Sequence, residues 1–400
     1  MLIYWLWLAT RPDISDREKS MLLQHFQDAE DVYFAQDFKD FPENVRNSLQ
    51  DKDLSEAEKI LAACAEKDIK ICTLRDDAYP AKLKNIPDPP VVLYYKGTLP
   101  ELDSVPTIAL VGTRRASAYG VNVAGRMGYQ LSRCGAVVLT GLADGIDGAG
   151  AMGALKADGI VVGVLGCGAD VVYPAKHKGL YADVQLGGCL LTEFPPNTPP
   201  YKWNFPKRNR ILSGLSNGVL VVEAPEKSGS LITARNAAEQ GRDVFVVPGN
   251  IDMPTFIGSN SLLREGAAMV TCGWDVVADY AGIYPDRVRK FSGIDLPVET
   301  ENLQAMVAQK PRYPEKSPLS YNKKEKKPID NSPAQPYSDI VDTLPEHAQK
   351  IVRVLQRGEC LADDVAVQCD LTAAQLSGAL TLLQIKGIVK KKAGNILSLK

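Results

Sequence analysis

Six short apolar runs constrain this chain more than anything else in it: Thr107–Val111, Ala136–Thr140, Ile160–Leu165, Leu190–Glu193, Gly218–Glu223 and Asp243–Val247. Each is separated from the next by a segment long enough to hold a helix. A strand that is apolar throughout, rather than on alternate residues, must be covered on both faces, and helix-length crossovers make neighbouring strands parallel. Residues 91–285 therefore read as an α/β domain, a doubly wound and mostly parallel sheet.

The flanks differ in character. Residues 1–85 read as short helices. The opening MLIYWLWLAT has no basic flank and is cut short by Arg11-Pro12-Asp13, so it suits a buried helix better than a membrane span. Tyr79-Pro80 and Ile86-Pro87-Asp88-Pro89-Pro90 mark the boundary, which places the core at 86–285. Residues 286–340 lose the alternation. Within them 309–338 is rich in Pro, Lys and Ser, the composition of a flexible basic linker. Residues 341–400 regain order as helices over Pro345–Gln356, Cys360–Cys369 and Thr372–Lys386, then a hairpin over Ile388–Leu399 turning at Ala393-Gly394-Asn395. That is the pattern of a winged helix.

The eight cysteines form no CxxC pair, and several lie inside apolar runs, which points to a reducing, cytoplasmic setting. Three scattered histidines and no zinc-type spacing give no expectation of a metal. The formal net charge of −2 makes the chain no polycation, so any affinity for nucleic acid must come from local clusters.

In an open parallel sheet, ligands bind beyond the carboxyl ends of the strands. There the sequence places Gly112-Thr113-Arg114-Arg115-Ala116-Ser117, Gly141-Leu142-Ala143-Asp144-Gly145-Ile146-Asp147, Gly166-Cys167-Gly168, Ser228-Gly229-Ser230 and Pro248-Gly249-Asn250. Glycine and serine turns that feed helices let backbone N–H groups approach an anion. Singly, each is an ordinary βα turn. Together, with Thr113, Ser117, Ser228 and Ser230 as hydroxyl donors and Arg114 as a bidentate cation, they suit phosphate. Gly166-x-Gly168 has Val171 where a dinucleotide fingerprint needs glycine, and no GxxxxGK[ST] run occurs. Neither a nicotinamide or flavin enzyme nor a P-loop ATPase is indicated, and no cofactor is expected.

Phe205-Pro206-Lys207-Arg208-Asn209-Arg210, preceded by Tyr201, Lys202 and Trp203, adds three cations and aromatic faces. Cations neutralise backbone phosphates and aromatic faces stack unpaired bases, which favours single-stranded over duplex DNA. The plainer alternative is a solvated helix start with Phe205 in the core. Asp144, Asp147, Glu193 and Glu223 lie near strand ends and could do acid–base work. The stronger reading makes Asp147 an N-cap and Glu223 an acceptor of backbone N–H groups, so no catalytic residue is assigned.

In order, these motifs resemble the DNA-processing protein A (DprA, or Smf) family: Val111-Gly112-Thr113-Arg114, Ser117, Tyr119-Gly120, Gly141-Leu142-Ala143, Gly145-Ile146-Asp147, Tyr173-Pro174, Phe205-Pro206, Arg208-Asn209-Arg210-Ile211, Val222-Glu223-Ala224, Ser228 to Ala234, Gly241-Arg242, Pro248-Gly249, Gly258-Ser259-Asn260 and Gly266-Ala267. The resemblance implies an N-terminal helical, SAM-like module, a Rossmann-like core and a C-terminal winged helix. It implies a non-enzymatic cytoplasmic protein of natural transformation. Such a protein binds and protects incoming single-stranded DNA and dimerises through the core. It loads the RecA recombinase against single-strand-binding protein. On that reading Arg114, Lys207 and Arg208 contact phosphate, Phe205 stacks a base, and Gly112, Thr113, Ser117, Ser228, Gly229 and Ser230 line the pocket, with Asn209 and Arg210 beside them. Ala151 departs from the family, which usually has His there.

An alternative is a nucleotide-processing enzyme of the phosphoribohydrolase type on a similar fold. Pro248-Gly249-Asn250-Ile251-Asp252 departs from the Pro-Gly-Gly-x-Gly-Thr run those enzymes carry. A regulator built on the winged helix would leave the core motifs without a purpose. Its recognition helix carries Gln375, Ser377, Thr381 and Gln384 but one cation, Lys386, while Lys390-Lys391-Lys392 sit in the wing. Weak sequence-independent DNA contact or a protein-binding role is therefore expected of it.

Overall fold

The computed structural model describes residues 1–291, Gly293 and parts of 344–399. It falls into two compact units, Met1–Arg312 and Tyr313–Lys400. Of the expected linker 286–340, residues 286–291 and Gly293 are described, and they pack on the sheet domain, with Arg289 N–H donating to Cys134 O at 3.0 Å and Val288 and Phe291 against its core; the rest lies outside the described residues.

The first unit is built on a nine-stranded sheet with the order β1-β2-β6-β5-β4-β3-β7-β8-β9. Its strands are β1 (Lys70–Thr73), β2 (Val92–Gly97), β3 (Thr107–Val111), β4 (Val137–Thr140), β5 (Val161–Val164), β6 (Cys189–Thr192), β7 (Gly218–Val221), β8 (Asp243–Val246) and β9 (Ala268–Met269). From β6 to β9 every pairing is parallel, while β1 with β2 and β2 with β6 are antiparallel. Every residue of β3 to β7 is buried, as all-apolar runs require.

Helices α7 (Ala118–Arg133), α8 (Ile146–Lys156) and α9 (Lys178–Gly187) cover one face. Helices α10 (Asn204–Gly214), α11 (Gly229–Glu239) and α12 (Ile257–Arg264) cover the other. The glycine-rich α8 stays helical because it is pressed against α7. A Cβ on Gly153 would meet the Gly125 carbonyl oxygen at 2.0 Å, and one on Gly128 would meet that of Gly150 at 2.1 Å, so both helices need a bare backbone where they cross.

The N-terminal part is helical: α1 (Leu2–Thr10), α2 (Asp16–Phe26), α3 (Ala29–Phe34), α4 (Glu43–Gln50) and α5 (Ser55–Glu66), with the one-turn α6 (Ala81–Lys84) between β1 and β2. The apolar opening is a buried helix, with Tyr4 to Leu8 inside. One feature differs from the sequence expectation: Lys70–Thr73, inside the stretch read as helical, is the edge strand β1. The module shares one hydrophobic cluster with Val92, Tyr94 and Ala169 of the sheet domain, so it is packed onto the core.

The second unit is a winged helix. Helices Glu346–Leu355 and Ala362–Cys369 pack with a three-stranded antiparallel sheet made by Cys360–Leu361, Val389–Lys391 and Ile396–Leu399. Ile351, Val352, Val365, Leu383 and Leu397 form its core. Much of the expected recognition helix Thr372–Lys386, and the turn at Ala393–Asn395, lie outside the described residues.

Candidate nucleic-acid interface

The chain runs from β3 outward through β4, β5 and β6, then returns to lay β7 on the other side of β3. Loops leaving β3 and β7 must diverge there, which opens a crevice at the carboxyl ends of the strands. A cleft of about 320 Å³ lies at this point. The loop after β3 lines it with Gly112, Thr113, Arg114 and Arg115, the loop after β7 with Lys227, Ser228, Gly229 and Ser230, and α10 with Phe205, Arg208 and Asn209.

The glycine turns do less than their sequence suggests, because the protein fills several of them with its own carboxylates. The Gly112 N–H donates to Asp147 Oδ1 at 3.3 Å and the Gly141 N–H to Asp147 Oδ2 at 3.1 Å. Asp147 therefore bridges two loops instead of capping α8, whose N-cap is Gly145. Burial pushes the Asp147 carboxyl up, opposed by the Arg208 charge and these two N–H groups. At the start of α7, Ser117 donates its N–H to both oxygens of Glu223 at 3.1 Å and its hydroxyl to Oε2 at 2.9 Å. Glu223 is fully buried. The Ser117 hydroxyl also caps α7 from Gly120 N–H. The positive end of that helix thus holds an internal anion, and Ser117 is not among the residues lining the cleft.

The helix that does open on the cleft is α11. Its N-cap Ser228 bonds Ser230 Oγ at 2.7 Å, and Gly229 is exposed beside them. Across from it the exposed Arg114 guanidinium lies 4.9 Å from the Phe205 ring centroid. A cation on an aromatic face keeps both in place and presents them to one ligand.

Helical geometry splits the cluster on α10. Residues three or four apart share a face, and residues two apart point about 200° away from each other. Phe205, Arg208, Asn209 and Leu212 face the cleft. Arg208 is buried in its floor: Nη1 donates to Val164 O and, at 3.3 Å, to Gly141 O, while Nε donates to Asn209 Oδ1 at 3.1 Å. Burial pushes the Arg208 guanidinium down from its usual range, and Asp147 opposes the shift. The Asn209 amide reaches Gly229 O at 3.3 Å, tying α10 to α11.

Lys207 and Arg210 occupy the other face, and the structure does not bring them to the cleft. Arg210 Nη2 pairs with Glu193 at 2.5 Å and Asp16 at 2.9 Å, and its Nε lies 3.3 Å from Asp88. Lys207 Nζ pairs with Asp16 at 3.0 Å and Glu193 at 3.1 Å. Burial alone would push Asp16 up, but Lys207, Arg210 and Lys19 outweigh it and hold it below its ordinary 3.8. Glu193 is pushed up by burial, against the pull of Arg210 and Lys207. This network anchors α2 to the core. Arg208 and Arg210 thus divide the labour, one in the cleft floor and the other under the helical module. Asp144, the fourth carboxylate, pairs with Lys176 at 3.0 Å.

Sequence reasoning missed Lys227 and Arg115 as lining residues. Lys227 stands directly before Ser228-Gly229-Ser230, and a cation abutting a helix-start turn was the available signal. Among the described residues no three His, Cys, Asp or Glu gather to hold a metal, and no helix is long and apolar enough to cross a membrane.

Comparison with known proteins bears on this arrangement. The family model described as DNA recombination-mediator protein A matches residues 70–281, and that of the DprA winged helix domain matches 334–395. A Bacillus subtilis DNA processing protein DprA is 43% identical over 218 residues, covering 54% of this chain and 73% of that one. Protein Smf of a Synechocystis strain is 32% identical over 332 residues, covering 82% and 80%. The X-ray structure of DNA processing protein A from Streptococcus pneumoniae superposes with a TM-score of 0.60 at 33% identity, covering 70% of this chain and 98% of that one.

Proposed function

The chain belongs to the DNA recombination-mediator protein A family, and from that premise we propose that it binds single-stranded DNA in the cleft between β3 and β7. The observation that carries the reading is the Arg114–Phe205 pair facing the open start of α11. A planar cation and helix-start donors accept a phosphate, and the Phe205 ring accepts an unpaired base. Duplex DNA offers no unpaired base to the ring, so single strands are preferred.

In this reading Arg114, Arg115 and Lys227 contact phosphates, Phe205 stacks, and Thr113, Ser228, Gly229 and Ser230 position the backbone. Arg208 and Asn209 act from beneath by holding α10 against the β4 and β5 loops and α11. Gly112 and Ser117 shape the loops. Lys207 and Arg210 hold the helical module.

The protein is a binding module, not an enzyme. Both oxygens of Asp147 and of Glu223 are occupied by the protein's own N–H and O–H groups, and Glu193 is held by two cations. Following the family resemblance, its place is cytoplasmic, in natural transformation. There it acts as a homodimer that protects incoming single strands and loads RecA onto them against single-strand-binding protein.

An electrophoretic shift with single-stranded and duplex DNA of equal length tests the proposal. Tighter single-strand binding is expected, and equal affinity for the two would refute it. Incubation with nucleoside monophosphates should release no free base.

A further inference from the structure

Just before α10 the chain exposes two more aromatic residues, Tyr201 and Trp203. Their rings are stacked, with centroids 4.7 Å apart and planes 10° from parallel. Tyr201 is 45% and Trp203 69% exposed. Of the four tryptophans in the chain, Trp5 and Trp7 are buried and Trp274 is partly covered, so Trp203 is the one left to solvent.

The loop that carries the pair is fixed. Gly168 N–H donates to Thr198 O at 3.0 Å, and Asn197 N–H to Asp170 at 2.9 Å. The buried Asn204 amide donates to Gly166 O at 3.1 Å, and Asp170 is held by Lys67 at 2.5 Å. Two large rings are thus kept out of the core by a pinned support. A flexible loop would instead be free to tuck them in.

The pair stands a short step along the chain from the cleft, at the start of α10: Trp203 is two residues before Phe205, so their backbones are at most about 7 Å apart, although neither Tyr201 nor Trp203 lines the cleft itself. The Tyr173 ring, 39% exposed, has its centroid 5.5 Å from that of Phe205. Lys202, between the two stacked residues, is exposed. Flat faces with a cation beside them match bases joined by phosphates.

We infer that Tyr201 and Trp203 form a second stacking platform, which takes the bases of a single strand next to the one held at Phe205. The inference rests on the proposed single-strand reading and extends its footprint beyond the cleft. An apolar protein partner is disfavoured by the exposed cation Lys202 between the two residues and by the short backbone distance to Phe205 in the phosphate-binding cleft.

The test is a fluorescence titration of the full chain with an oligothymidylate of about 12 nucleotides, a length within ordinary single-strand site sizes. In parallel, the anisotropy of a labelled oligomer of the same length measures affinity. Saturable quenching is expected in the parent and its loss in Trp203→Phe. Trp203→Ala, and independently Tyr201→Ala, should weaken binding roughly 5- to 100-fold, the range for one stacked base. Parent binding without a change in tryptophan emission, together with unchanged affinity of both alanine variants, overturns the platform and leaves the cleft reading intact. No binding by the parent overturns both. Quenching that follows protein concentration without DNA assigns the pair to self-association and overturns the platform.

Discussion

Replacing Glu223 with Gln should cost about 2–3 kcal/mol of stability, although residue 223 touches no solvent. The carboxylate accepts the Ser117 N–H and hydroxyl at 2.9–3.1 Å, at the positive end of the 16-residue helix α7. Hydrogen bonds to a charged group contribute roughly 1.5–3 kcal/mol each, and an anion at a partly buried helix start up to about 2 kcal/mol. Gln keeps one acceptor oxygen and loses the charge, so about half of that sum disappears. Urea unfolding followed by tryptophan emission is a suitable assay, because all four tryptophans lie in the first unit. At roughly 2–4 °C per kcal/mol the melting temperature should fall by about 4–12 °C. Glu223→Ala should fall further and recover in part with sulfate, which can occupy the vacated helix start. A Gln variant within about 0.5 kcal/mol of the parent would refute the claim that Glu223 serves as the internal anion of α7.

Other consequences follow from the same contacts. Gly120→Ala should destabilise by about 1–3 kcal/mol, since its Cβ would sit 1.8 Å from Glu223 Oε2; calorimetry checks it. Arg210→Ala strips the buried Glu193 of a partner and should cost roughly 3–5 kcal/mol, with faster proteolysis at the α2–core contact. Asp16 is held below its ordinary 3.8 by Lys207, Arg210 and Lys19 against the burial that raises it. Its ion pairs therefore stabilise fully above the unfolded-state value and are lost as pH falls through the lower folded one. Acid titration of Asp16→Asn should show a shallower loss of stability below about pH 4 than the parent.

The central strands were legible because an all-apolar run between helix-length segments has few other uses. The edge strand β1 was not. Lys70-Ile71-Cys72-Thr73 is short and outwardly polar, and its strand character comes from pairing with β2, which no local pattern encodes. The site was legible as a set of turns at strand ends, but their content was not. Whether Gly112 and Gly141 offer their N–H groups to a ligand depends on where Asp147 lands, a tertiary fact. The split of Lys207 and Arg210 from Phe205 and Arg208 was within reach, since helical spacing alone separates the two faces once α10 is read as a helix. Its ion-pair partner Asp16 lies nearly two hundred residues away in sequence, beyond any local pattern.

The salt dependence of single-strand affinity tests the central claim most directly. Each phosphate contact on a single strand contributes about 0.7 to the slope of log K against log salt. Arg114→Ala and Lys227→Ala should each flatten the slope by about that amount, whereas Lys207→Ala, whose cation is engaged with Asp16 and Glu193, should leave it unchanged. Flattening by Lys207→Ala with none from Arg114→Ala would place the strand on the opposite face of α10 and contradict the account.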